Sequence, residues 1–259
     1  MKLSEIKAEA KHALKGQCIN AICMFLLFYL ICSVAGYINI PLIYVIIYVP
    51  LSFGLVISFI KLKRGEKINI FNFLKEGFSR FSKSFGIAWH TFLKLFLHLI
   101  LGIIIFLIIP LLLSYIAYST NTDLSKAPIL GMSGLIVLVF SLPILSIWIY
   151  PKYLFYVLAY NISYDNPELS SKECVLKSAE LMKGNRKKYF LLQLYFIVLL
   201  IVISYITSLL LLMLLTIINT TLLSPNFIIP IILLGCISYI FVYMRIATIC
   251  FYDRLVEKK

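Results

Sequence analysis

The feature that most constrains this chain is a series of long apolar stretches, at about 18–36, 40–60, 95–118, 129–150, 189–218 and 227–249, almost free of Asp, Glu, Lys and Arg. A hydrocarbon core about 30 Å thick takes about 20 apolar residues per helical span, and inside it each backbone N–H and C=O must be satisfied within the helix. Six such stretches predict an all-α, polytopic membrane protein. Composition agrees: the 259 residues are 62% hydrophobic and 14% charged, where a soluble domain carries about 25% charged residues.

The connections divide the spans into three hairpins. A charge-free turn near Tyr37 to Asn39 joins the first pair. STNTDLSKAP, rich in turn formers, joins the second, and NTTLLSPN the third. Lys and Arg stay on the cytoplasmic side during insertion. Four precede the first span, seven lie between the second and third, six between the fourth and fifth, and three follow the last; Lys94, Lys152 and Arg245 each sit near a cytoplasmic end of a span, whereas the opposite side has Lys126 alone. Both termini are therefore predicted to be cytoplasmic, with cytoplasmic segments 61–94 and 161–188. The formal charge of +13 reads as a basic face for anionic headgroups, not as a nucleic-acid surface, because no nucleic-acid-binding motif accompanies it. The first apolar run exceeds the roughly 7–15 residues of a signal-peptide core, so cleavage is not expected. Cys18, Cys23, Cys32, Cys174, Cys236 and Cys250 form no CxxC pair and read as small hydrophobes.

The cytoplasmic segments carry amphipathic helices. Residues 1–17 hold a stripe of Leu3, Ile6, Ala10, Ala13 and Leu14, ending near Gly16. Phe71, Leu74, Phe78, Phe81 and Phe85 recur at spacings of three and four, the pattern of a helix lying in the membrane plane or packing on neighbouring spans. Ser170 with Glu173 forms a capping box opening a helix over 171–183, with Val175, Ala179 and Met182 on one face and Gly184 as its left-handed stop. Arg186, Lys187, Lys188 and Tyr189 follow as interface anchors of the fifth span, and Lys152 and Arg245 mark the inner ends of the fourth and sixth.

Tyr164-Asp165-Asn166-Pro167-Glu168-Leu169-Ser170, followed by Ser178-x-x-Leu181-Met182-Lys183-Gly184, resembles the central signature of the bacterial membrane-protein family catalogued as domain of unknown function nine hundred seventy-five. Ile6-Lys7 through Leu14-Lys15-Gly16, Lys63-Arg64-Gly65-Glu66, Lys152 and Phe251-Tyr252-x-x-Leu255 extend the likeness over nearly the whole chain. The resemblance implies a multi-span protein of the bacterial plasma membrane. It brings no activity, so no catalytic residue is carried over.

No HExxH, P-loop, GxGxxG or GxSxG is present, and none of the eleven acids falls within a span. The reading is accordingly of a protein that is not an enzyme, without catalytic, cofactor-binding or metal-ligating residues and without a cofactor. His90, Lys94 and His98 share one face at i, i+4 and i+8. They could bind an anionic headgroup; structurally, Lys94 snorkels and His98 hydrogen-bonds a neighbouring helix. Asn20 and Gln193 could bond between spans, and Pro41, Pro50, Pro110, Pro143 and Pro230 kink or end four of them. The function expected is the organisation of lipids, or of a partner membrane or cytoplasmic protein, by a basic cytoplasmic face; the alternative is a transporter or export component with a path between kinked helices. Oligomeric state is unconstrained.

Overall fold

The computed structural model describes residues 2–119, 145–217 and 225–257. Among these residues the chain is helical, without strands: α1 (Leu3–Leu14), α2 (Cys18–Tyr37), α3 (Pro41–Lys63), α4 (Asn72–Ser79), α5 (Phe81–Ser119), α6 (145–153), α7 (Ala159–Asp165), α8 (Ser171–Met182), α9 (Arg186–Ile217) and α10 (Pro225–Val256). Five stretches are long and apolar enough to cross a membrane: Cys18–Tyr37, Pro41–Lys63, Phe81–Ile104, Arg186–Leu210 and Leu233–Val256. The span expected at 129–150 lies outside the described residues except for its last six, which fall in α6.

Local chemistry sets most boundaries. Pro41 occupies the first turn of α3, where its missing N–H costs nothing. It thus starts a helix rather than ending one, and α3, α5 and α10 continue through Pro50, Pro110 and Pro230; Pro143 lies outside the described residues. At α8, Ser170 accepts from the Glu173 amide while the Glu173 carboxylate accepts from the Ser170 amide, completing the capping box. Gly184, at φ +81°, follows the helix end in the left-handed region that glycine tolerates.

Helix α3 is the hub: 56% of its most apolar window is buried, against 11% in α5 and 17% in α9, whose apolar faces point outward. Phe53 and Phe59 of α3 and Phe251 of α10 are wholly buried, and Phe25 of α2 stacks on Phe241 of α10 with centroids 4.3 Å apart.

Three expectations need correction. The aromatic stripe from Phe71 to Phe85 is not one helix but is divided at Arg80 into α4 and the start of α5. The face of α4 that is buried carries Phe73 and Gly77, while Phe71, Phe78 and Phe81 of the stripe are exposed. The helix that carries the third expected span does not begin near residue 95: α5 is continuous from Phe81 for 39 residues, about 58 Å, nearly twice a hydrocarbon core. On α8 the inward residues are Cys174, Val175, Ser178, Leu181 and Met182, with Ala179 at the margin.

The burial of α4 follows from two glycines. A methyl at Gly54 would run into the Phe73 carbonyl oxygen and lie 2.7 Å from the Gly77 amide nitrogen; one at Gly77 would run into the Pro50 carbonyl. The two backbones touch because neither helix has a side chain there. Gly54→Ala or Gly77→Ala is expected to destabilise by about 1–3 kcal/mol, the cost of overpacking, whereas Gly36→Ala, which meets open space, leaves stability unchanged. Thermal melts in detergent check both.

Candidate functional site

Lys63, the last residue of α3, reaches Asp253 of α10 at 2.5 Å and Glu9 of α1 at 3.1 Å. Glu5 and Glu9 lie one turn apart on α1, and both meet Arg254, at 2.6 and 3.1 Å. The Tyr243 hydroxyl donates to the Lys7 carbonyl at 2.9 Å. The amphipathic N-terminal helix is therefore clamped to the ends of α3 and α10, with Ile6, Ala10 and Leu14 buried beneath it. Arg64 meets Asp165 at 2.6 Å, and Lys61 meets Glu76 of α4 at 2.7 Å.

The stretches that carry the family resemblance converge on this layer. Besides the Arg64–Asp165 pair, Asn166 accepts from Lys177 and donates to the Ile162 carbonyl, both at 3.0 Å. Lys83 donates to the carbonyls of Pro167 and Leu169. Met182 is wholly buried, and Lys183 and Gly184 close α8. Ser178, buried, accepts from the Leu158 amide at 3.2 Å and donates to the Phe155 carbonyl at 2.8 Å. It thereby satisfies backbone groups freed where the chain breaks between α6 and α7.

The expected interface anchors have separate fates. Arg186 lies over the Phe155 ring at 4.0 Å, Lys187 and Lys188 are exposed, and Lys152 is half-buried. Arg186 and Lys187 flank a groove of about 410 Å³ walled by Pro151, Leu154 and Phe190. Tyr189 is buried instead: its hydroxyl contacts Thr248 at 3.3 Å and accepts from Gln193 at 2.7 Å, bonding α9 to α10. His90 and His98 are half-buried and Lys94 is exposed; among the described residues the His98 ring bonds back to the Lys94 carbonyl at 3.2 Å. This trio does not line the cavity between α3, α5 and α10.

That cavity, about 360 Å³, lies between α3, α5, residues 153–161 and α10. Arg245 lines it, eight residues or about 12 Å along α10 from Asp253. Tyr160 of α7 packs edge-on against Phe53, in the middle of α3, so the segment expected to be cytoplasmic from residue 161 begins beside a span. Asn161, 3% exposed, also lines the cavity. Sequence reasoning missed Asn161 and the tyrosines around it; their signal was three tyrosines and an asparagine within nine residues after Lys152, at 153, 156, 160 and 161.

A family model described as "Protein of unknown function (DUF975)" matches residues 1–259. No curated protein and no solved structure matches the chain.

The ionic layer has a calculable pH response. Hydrogen bonding to Arg254 holds the Glu5 carboxyl below its ordinary 4.5. Burial would raise Glu9, but hydrogen bonds from Lys63 and Arg254 outweigh it and leave that carboxyl lowered too. Carboxyls depressed by folding contribute stability that is complete above pH 4.5 and lost as pH falls through their lowered values. Protection of α1 from proteolysis should thus hold from pH 7 to 5 and fail on further acidification, and Arg254→Ala should flatten that dependence. Lys63→Ala, which leaves Glu9 and Asp253 without their shared cation, should cost about 1–3 kcal/mol at neutral pH, read from thermal melts.

Proposed function

We propose a role for a chain that belongs to the DUF975 family: it crosses the bacterial plasma membrane six times, with both termini cytoplasmic, and organises anionic lipids through its basic face without catalysing a reaction. The observation that carries this reading is how the acids are used. Glu5, Glu9, Glu76, Asp165 and Asp253 are all paired within the bundle, and Glu173 is engaged in its helix cap. Lys11, Lys15, Lys75, Lys172, Lys187 and Lys188 are exposed and have no ion pair among the described residues. Each of these pairs also takes up a cation, and the exposed lysines left over outnumber the exposed acids Glu66, Glu168, Glu180 and Glu257, which leaves a cationic surface, worth about 1 kcal/mol per Lys or Arg beside an anionic leaflet. The groove at Arg186 and Lys187, apolar inside and cationic at its rim, suits a lipid at the interface.

Chain parity supports six crossings. The starts of α5 and α9 and the ends of α3 and α10 all lie in or beside the ionic layer, where Lys83 meets Leu169, Lys63 meets Asp253, and Tyr189 meets Thr248. That α5 leaves this layer and Asp165 lies in it again is consistent with a return pass between them.

Lipids retained through purification and counted by mass spectrometry should be enriched in phosphatidylglycerol or cardiolipin over the source membrane. Replacing Arg186, Lys187 and Lys188 together by Gln should lower that affinity by up to roughly a hundredfold, and high salt should weaken it. Retention with no anionic preference would remove this reading. A cysteine at Lys187 should react with an impermeant maleimide only after cells are opened; labelling of intact cells would overturn the orientation.

A further inference from the structure

Arg245 stands apart from the ionic layer. Arg64, Arg80 and Arg254 each have a carboxylate partner, whereas Arg245 has none among the described residues and rests against the Phe241 ring at 4.9 Å. It lies on a helix apolar enough to span, where an ionisable group is costly unless something polar faces it. What faces it is the 360 Å³ cavity. The side-chain nitrogen of Asn161, on the cavity wall, is buried and has no hydrogen-bond partner. Hydroxyls of Ser52, Tyr48, Tyr153 and Tyr156 line the same space, and no carboxylate does. A guanidinium, an unmet amide and several hydroxyls form a donor-rich, positive pole. Much of the remaining wall is apolar, with Val56, Phe59, Ile87, Phe92 and Leu95.

We propose that this cavity binds one anionic amphiphile, its phosphate or carboxylate head on Arg245 and Asn161 and its hydrocarbon along the apolar wall. Phosphate and carboxylate supply the acceptors and the charge that these donors lack, and Arg presents its N–H groups as a fork matching either. The volume lies at the lower end of the roughly 300–1,000 Å³ usual for small-ligand sites, which suits one chain better than two. This site is separate from the surface groove at Arg186.

The test uses the full-length protein in nanodiscs of neutral lipid, with binding followed by native mass spectrometry. In protein whose surface groove is disabled by Arg186→Gln, Lys187→Gln and Lys188→Gln, oleoyl lysophosphatidate is expected to bind one per chain. In that background Arg245→Gln should weaken it at least tenfold, Arg245→Lys less, Asn161→Ala severalfold, and Gly36→Ala, which meets open space, not at all. Leu95→Trp, which fills the cavity and leaves every charge in place, should abolish binding in protein that still elutes as a single folded species. Dioleoyl phosphatidate is the second arm. Equal binding of both assigns the ligand to the bilayer, and preference for the single chain assigns it to a free amphiphile; either supports the site. Inorganic phosphate bound as tightly as the amphiphile, or amphiphile binding unchanged in both Arg245→Gln and Leu95→Trp, overturns it.

Discussion

Helices in lipid gain little by hiding apolar side chains from water that is not there, so their association rests on close packing and polar contact. In this chain both kinds of contact meet on α3, and the polar ones centre on Lys63. Within four residues, Lys61 reaches α4, Lys63 reaches α1 and α10, and Arg64 reaches the end of α7. Pairs this exposed contribute little one at a time. As a network they fix the register of four helices against one helix end, and a ten-residue shift deeper the Gly54–Gly77 contact lets α4 lie backbone to backbone against α3. The helices with few inward contacts, α5 and α9, are tied near their starts: Lys83 to the carbonyls before α8, and Tyr189 and Phe196 to α10.

The apolar stretches were legible because one physical quantity, the thickness of the hydrocarbon core, sets their length. The start of α5 was not. Lys94 and His98 interrupt hydropathy, so a window of apolar residues opens at 95, yet residues 81–94 contain no proline and keep helical spacing, and nothing stops the helix from running through. The buried face of α4 was hidden for a different reason. Periodicity detects a stripe of large side chains, but here the decisive position is Gly77, which has none and is buried because of that. The capping box at Ser170 was readable since all its parts lie within four residues.

Site residues divide along the same line. Lys63 and Asp253 are 190 positions apart and Arg64 and Asp165 are 101 apart; each looks like a surface charge until the fold joins them. Arg245 follows an apolar run of one span's length, which places it at an edge if α10 ends nearby. The helix instead continues to Val256, and Arg245 faces the cavity. Asn161 lies in a polar stretch that reads as cytoplasmic, but α7 turns back against the middle of α3 and buries it.

This division bears on where function resides. The stretches that carry the family likeness, from Lys63-Arg64 through Asp165-Asn166 and Ser178 to Phe251-Tyr252, are engaged with one another in ion pairs, backbone caps and buried packing. A side chain whose hydrogen-bonding capacity is already met inside the protein has little left for a ligand. The signature therefore describes how the bundle is assembled. Among the described residues the buried polar atoms left unmet are the Asn161 amide and the hydroxyls of Ser58 and Ser163, and Arg245 lacks a carboxylate partner. The Arg245 guanidinium and the Asn161 amide line one cavity, and pairing within the protein leaves both with capacity for an acceptor that enters it.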